Sequence, residues 1–309
     1  IGDDAAVIRQ SSAHDMLVTT DLLVEDVDFR RAWMPPKLLG HKALAVSLSD
    51  CAAMGARARY ALLSVGAPRE IWRSNFVDEF YEGFFALADA AQVTLIGGDV
   101  SRTRSPIVID SIVLGEVRRG RAALRSGARA GDHIFVTGSL GGAAAGLKLL
   151  EHGERLTNRK PRTRRARAVA ELLLRHLRPQ PRMAWGALLG ERRLATAMID
   201  ISDGLSSDLA HLCDESGVGA QLDAARIPVD ASLLQPGGRD DDALSLALHG
   251  GEDFELLFTV SPRNLKRLPT KLDGVSITYI GDVTDASHGI EIFDGEDSHS
   301  MKPAGFSHF

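Results

Sequence analysis

The chain is poor in cysteine: two residues in 309, Cys51 and Cys213, far apart and each in a segment patterned as a helix. That excludes a disulfide framework and a cysteine-based zinc cluster, and leaves buried free thiols as the reading. No apolar run approaches the ~20 residues of a membrane span, so no membrane role is expected. Positive charge is not in excess either. Lys and Arg total 36 against 41 Asp and Glu, a formal net charge of −5, which argues against nucleic acid or a membrane surface as partner. With 44% hydrophobic and 25% charged residues the composition is that of a globular cytoplasmic protein, and the length fits two domains. The chain opens at Ile1, without Met and already inside a motif, so further sequence upstream is expected.

Several phosphate devices are also missing. The run Gly141-Gly142-Ala143-Ala144-Ala145-Gly146 has the glycine spacing of a P-loop, but Leu147-Lys148 follows where Lys-Ser/Thr is required. It reads as a strand-to-helix turn, with anion binding at the helix start as a secondary reading. Neither His-Arg-Asp nor Asp-Phe-Gly of protein kinases occurs, and no Gly-x-Ser-x-Gly elbow supports a nucleophilic serine.

Apolar patterning predicts strands over 16–20, 61–65, 93–96, 107–114, 133–137, 198–201, 219–222, 255–260 and 275–280. Helices are expected over 37–54, 70–91, from the glycine turn to 150, 204–215 and 241–248. In the second of these Phe76, Phe80, Phe84 and Leu87 recur at helical spacing, a stripe that reads as core. The basic run Arg159-Lys160-Pro161-Arg162-Thr163-Arg164-Arg165 reads as a solvated loop or helix entry. The pattern restarts near Arg118-Arg119-Gly120, which divides the chain into 1–119 and 120–309. Strands and helices interleave without a strict βαβ rhythm, so mixed sheets in an α+β or α/β arrangement are predicted.

What is abundant is one recurrence. Apolar runs end in small residues and then a carboxylate: Thr19-Thr20-Asp21, Gly97-Gly98-Asp99, Asp200-Ile201-Ser202-Asp203 and Gly250-Gly251-Glu252-Asp253, with Asp3-Asp4 and the helix-borne Asp50 beside them. Carboxylates at strand ends next to glycine sit where backbone approaches a ligand closely. Oxygen ligands without clustered Cys or His favour Mg²⁺ or Mn²⁺ over Zn²⁺. An acidic site that holds phosphates needs such cations between. Singly, each has a plainer reading: Asp50 and Asp203 as helix caps, Asp3 and Asp4 as a solvated turn. Jointly they favour a metal–phosphate site.

At these residues the chain resembles the thiamine-monophosphate kinases, a branch of the superfamily that includes aminoimidazole ribonucleotide synthetase and selenophosphate synthetase. The likeness runs in order from Ile1-Gly2-Asp3-Asp4 through Lys42 to Asp50, Gly98-Asp99, Arg125-Ser126-Gly127, Ser202-Asp203-Gly204-Leu205 and Gly250-Gly251-Glu252-Asp253-Phe254 to Gly305-Phe306-Ser307-His308-Phe309. It implies direct in-line phosphoryl transfer from ATP to thiamine monophosphate with several Mg²⁺ ions, in a homodimer formed through the N-terminal sheets. By position it implies Asp4, Thr19, Thr20, Asp21, Asp50, Asp99, Asp200 and Asp203 as metal ligands, with Asp203 and Asp99 central to the chemistry. Gly98, Arg125, Ser202 and Tyr81 fall on the ATP side, Glu252 and Phe306 on the substrate side. The plainer readings are a core or surface tyrosine for Tyr81 and a C-terminal core anchor for Phe306. In Val27-Asp28-Phe29, Asp28 stands where the family carries a substrate-side histidine. A sister enzyme with another acceptor, and a nucleotide- or metal-binding module without turnover, stay as alternatives.

Overall fold

The computed structural model describes residues 2–157, 160–234, 241–295 and 297–306. Ile1, Arg159 and the Ser307-His308-Phe309 ending of the motif series lie outside them.

The N-terminal part builds β1 (Ala6–Arg9), β2 (His14–Val24), α1 (Pro36–Ala53), β3 (Arg57–Ala67), α2 (Arg69–Trp72), α3 (Phe76–Ala91), β4 (Thr94–Arg102) and β5 (Val108–Arg118). These strands form one sheet in the order β1-β2-β5-β3-β4, antiparallel except for the parallel β3–β4 pair at the edge. The remainder builds β6 (His133–Thr137), α4 (Gly142–Glu151), α5 (Arg164–Leu177), α6 (Met183–Glu191), β7 (Ala195–Asp200), α7 (Leu205–Ser216) and β8 (Val218–Asp223). It continues with α8 (Asp241–His249), β9 (Leu256–Val260), β10 (Lys271–Leu272), β11 (Val275–Asp285), β12 (Ile290–Phe293) and β13 (Ser298–Ser300). Its sheet runs β13-β12-β8-β11-β6-β9-β7, with β10 attached to β11. Both sheets are mixed, as the sequence predicts.

Helix α1 is the pivot. Every residue from Leu39 to Ser49 is buried, because α1 packs on β2 and β5, on α3 and α6, and on β7 of the second sheet. A helix enclosed on all sides needs small residues, and Gly40, Ala43, Ala45, Ser47, Ser49, Ala52 and Ala53 supply them. Two of those, Ser47 and Ser49, also bring hydroxyls into the interior.

The predicted helix over 70–91 is interrupted. Ser74 Oγ donates to the Ile71 carbonyl and accepts from Phe76 N–H, so a side chain takes over ladder partners and the helix restarts at Phe76. Phe80 and Phe84 are buried, so the aromatic stripe is core. The strand predicted over 93–96 extends to Arg102 through Gly97-Gly98. A Cβ at Gly98, whose φ is +153°, would stand 1.9 Å from the Leu63 carbonyl oxygen, so close pairing of β4 with β3 alone requires this glycine. Helices α5 and α6 go beyond the sequence reading. The described part of the basic run leads into α5, whose first turn Thr163 caps by accepting from Ala166 N–H.

Candidate functional site: an aspartate cluster beside an acidic cavity

Strand β2 alternates faces, so Thr19, Asp21 and Leu23 turn toward α1 while Thr20 and Leu22 turn away. On the inner face Thr19 Oγ1 donates to Asp50 near the C-terminal end of α1. Ser47 Oγ lies 2.7 Å from Asp21 Oδ2, and Ser49 Oγ donates across the domain junction to Asp200 Oδ2 at 2.5 Å. Asp200 ends β7. The loop holding Asp4 completes the group: oxygens of Asp4, Asp50 and Asp200 lie within 4.8 Å of one another. Arg125 approaches from outside, its guanidinium 2.7 Å from Asp4 Oδ1 and its backbone N–H 2.8 Å from Asp3.

Such a cluster repels itself. Burial pushes the Asp200 carboxyl up to about 8, with the nearby Asp4 charge adding to the rise. Asp50 is raised well above the usual range by burial and then by Asp21 and Asp200; Asp4 and Asp21 are raised by burial as well. Among the described residues Arg125 is the cation paired with this group, through Asp4. Asp4 Oδ2 is buried with no hydrogen-bond partner among the described residues. Three converging carboxylates, one with an unpartnered buried oxygen, are the donor set of a hard divalent cation. The residues therefore fit Mg²⁺.

Two residues beyond Asp200, the same loop enters a cavity of about 320 Å³ lined by Asp28, Trp33, His176, Ser202, Glu252 and Phe306 among others. Three segments converge there. Glu252 N–H donates to the Ser202 carbonyl at 2.7 Å and Phe306 N–H to the Asp203 carbonyl at 3.0 Å. Ser206 and Ser207 at the start of α7 accept from Ala304 and Gly305 N–H, which straps the C-terminal segment across the loop. Phe306 is consequently 53% exposed at the cavity wall; a core anchor it is not. Asp28 also lines the cavity, but one of its oxygens accepts from Val24 N–H at 2.8 Å and so closes the turn after β2. The capping reading of Asp203 fails: Asp208, four residues into α7, accepts from both Asp203 and Gly204 N–H.

The carboxylates of the Gly250-Gly251-Glu252-Asp253 motif and of Glu255 are already engaged. Glu252 meets Lys42 and His176. Asp253 accepts from Gly141 and Ala143 N–H at the start of α4, so the glycine-rich helix entry holds a carboxyl group of the protein itself in place of a ligand. Glu255 takes both arms of Arg182 and the Thr137 hydroxyl.

Other predicted residues lie elsewhere in the chain. Register sets Gly98 in line with Asp21 but three strands away, and Asp99 in line with Asp110 and Ser64. Thr20 donates to Asp110 at 2.7 Å, so Thr20, Asp110 and Asp99 share the outer face of the sheet. Tyr81 packs against Phe80 and Phe85 at the rim of the N-terminal core. Lys42, His176, Asp208 and Trp33 were missed by motif reading. Of these only Lys42, a cation in the middle of a mostly small and apolar helix and the start of the matched stretch Lys42 to Asp50, carries a sequence signal.

Comparison with known proteins agrees with the geometry. The family models for AIR synthase related proteins match residues 2–117 with the N-terminal domain and 129–294 with the C-terminal domain. A thiamine-monophosphate kinase of Escherichia coli K12 is 38% identical, the alignment covering all of this chain and 91% of that protein. That of Buchnera aphidicola subsp. Schizaphis graminum is 37% identical over 100% and 92%. The solved structure described as AaThiL complexed with AMPPCP and TMP superposes with a TM-score of 0.84 at 32% identity, covering 100% of this chain and 92% of its own.

Proposed function

The chain belongs to the thiamine-monophosphate kinase family of AIR synthase related proteins, and from that premise we propose that it transfers the terminal phosphoryl group of ATP to thiamine monophosphate, giving thiamine diphosphate and ADP. The observation that carries this reading is the segment from Asp200 to Ser202. It has one end in the aspartate cluster and the other in the acidic cavity, so a nucleotide-holding cation and an acceptor are brought to one place.

In this reading the cavity receives the thiamine portion. Glu252 and Asp28 match its positive ring, and the Phe306 and Trp33 rings flank its aromatic parts. Asp4, Asp50 and Asp200 would hold Mg²⁺, with Asp21, Thr19 and Asp203 nearby. Bound there, Mg²⁺ supplies charge neutralisation and alignment for the phosphates. Arg125, at the edge of the cluster, is placed to exchange part of its contact with Asp4 for a phosphate oxygen. In-line transfer needs positioning and charge compensation more than a nucleophilic side chain, and the cysteine beside the cluster is not suited to be one: Cys51 is buried, its thiol held in the neutral form by burial and by Asp50 and Asp21.

A second copy of the chain is the proposed occupant of the outer sheet face. Ile8, Leu22 and Tyr60 project from that face and Ile96 and Val100 from the free edge strand β4, all exposed. Packing there would bring Gly98, Asp99 and Thr20 to a shared interface. The cytoplasm is the proposed location.

A non-hydrolysable ATP analogue with Mg²⁺ is expected to raise the melting temperature, and thiamine monophosphate to raise it separately, in a sample that sediments as a dimer. Stabilisation by nucleotide alone would favour the module without turnover.

A further inference from the structure

Lys42 is a fully enclosed charge. Its side chain is 0% exposed in the middle of α1, and its Nζ lies 2.6 Å from Glu252 Oε1. Among the described residues no other carboxylate pairs with it and no acceptor besides Glu252 is within reach. A buried ammonium is tolerated only when compensated, so Lys42 has Glu252 as its sole counter-charge. The other Glu252 oxygen lies 2.9 Å from His176 Nδ1 on α5, a ring 6% exposed. Glu252 is thus gripped at both oxygens by two elements, while its side chain stays 30% exposed to the cavity.

The backbone at this point is also unusual. Glu252 has φ of +67° and Phe254 +49°, a left-handed conformation that non-glycine residues seldom adopt and that surrounding contacts must impose. The Glu252 N–H is fixed to the Ser202 carbonyl. Burial alone would raise the Glu252 carboxyl, yet Lys42 and then His176 hold it down at about 2, so it is an anion throughout the neutral range. His176 is kept neutral by burial and by the Lys42 charge.

We propose that Lys42 and His176 are positioning residues that set the Glu252 carboxylate as the recognition group for the cationic ring of the acceptor. Lys42 acts from the helix that carries Asp50. The two are eight residues apart, ~12 Å along the helix axis, so one rigid, buried element fixes both the acceptor-side anion and a carboxylate of the cation cluster. A salt bridge serving only to join the domains needs neither exposure of Glu252 to the cavity nor the strained turn that puts it there. The inference rests on the reading of the cavity as the acceptor site.

The test is a double-mutant cycle on purified full-length protein, using Lys42→Met, Glu252→Gln and the pair, with KM and kcat for thiamine monophosphate, KM for ATP and melting temperature. Lys42→Met is expected to raise the acceptor KM ~10-fold or more and leave the ATP KM within about twofold. The pair should be no worse than Glu252→Gln alone. Lys42→Arg should restore most of the acceptor affinity. Because Glu252→Gln leaves a buried ammonium uncompensated and can fail to fold, His176→Gln serves as the independent variant, with a smaller rise confined to the acceptor KM. Additive effects of Lys42→Met and Glu252→Gln, or equal losses for ATP and acceptor, would overturn the inference while leaving the proposed reaction standing. A wild-type protein that neither binds nor phosphorylates thiamine monophosphate would sink both.

Discussion

Asp50→Asn is expected to lower turnover by roughly 10²–10³-fold and yet to leave the metal-free protein at least as stable as the wild type. The two effects have one cause. Asp50 is half-buried within reach of the Asp21 and Asp200 charges, and its own carboxyl is pushed far up by desolvation and by that repulsion. Asparagine keeps an oxygen to accept from Thr19 and removes one negative charge from the group. A carboxyl whose folded-state value lies above its unfolded value stabilises the fold at low pH, and that contribution is lost as pH rises through the folded value. For Asp200 the window runs from 3.8 to about 8. The metal-free wild type should therefore melt at lower temperature as pH rises across that window, more steeply than Asp50→Asn does, and Mg²⁺ should flatten the slope. Steady-state rates and melting curves with and without Mg²⁺ measure both. Wild-type turnover in the variant, or a metal-free melting temperature well below the wild type, contradicts the assignment of Asp50 to a cation cluster.

Gly83→Ala should destabilise the protein by about 3 kcal/mol, although alanine is the better helix former by about 1 kcal/mol. Helices α1 and α3 cross where both lack side chains. A Cβ on Gly83 would stand 1.8 Å from the Lys37 carbonyl oxygen, and one on Gly40 at 1.8 Å from that of Phe80. The atoms in the way are backbone, so relief requires moving α1. That movement would carry Lys42 and Asp50 with it, so residual activity of any folded fraction should fall too. Steric overlap wins over propensity because the whole helix must shift, whereas propensity gains only one residue's backbone entropy. Chemical denaturation gives the answer: a midpoint equal to or above the wild type would show that the helices separate at little cost.

The features that motif reading made legible are local ones. A carboxylate after an apolar run and a glycine is visible because strand, turn and ligand position sit within five residues, as at Thr19-Thr20-Asp21 and Asp200-Ile201-Ser202-Asp203. Two mixed sheets with helices followed from the same interleaving. The residues that were not legible act across long sequence separations. Lys42 meets Glu252 across a sequence separation of 210, and Asp253 finds the start of α4 across 110 or more. The anion-binding appearance of Gly141-Gly142 was sound local physics with another partner, since the group held there is the Asp253 carboxyl of the chain itself. Helix α5 was hidden by its charge: five of its fourteen residues are Arg or His, while its buried side is only Leu172, Leu173, His176 and Leu177. Asp28 shows the converse. Its place in the motif pointed to the substrate, and the structure gives it a cavity position together with a turn-closing hydrogen bond to Val24.

The central claim is that the aspartate cluster and the acidic cavity serve one phosphoryl transfer. Purified protein incubated with ATP, Mg²⁺ and thiamine monophosphate, with products separated by chromatography, tests it most directly. Thiamine diphosphate that accumulates with time, matches ADP one for one and disappears when Mg²⁺ is chelated is the predicted result. Bound nucleotide with no thiamine diphosphate formed would contradict it and direct the search to another acceptor for the same cavity.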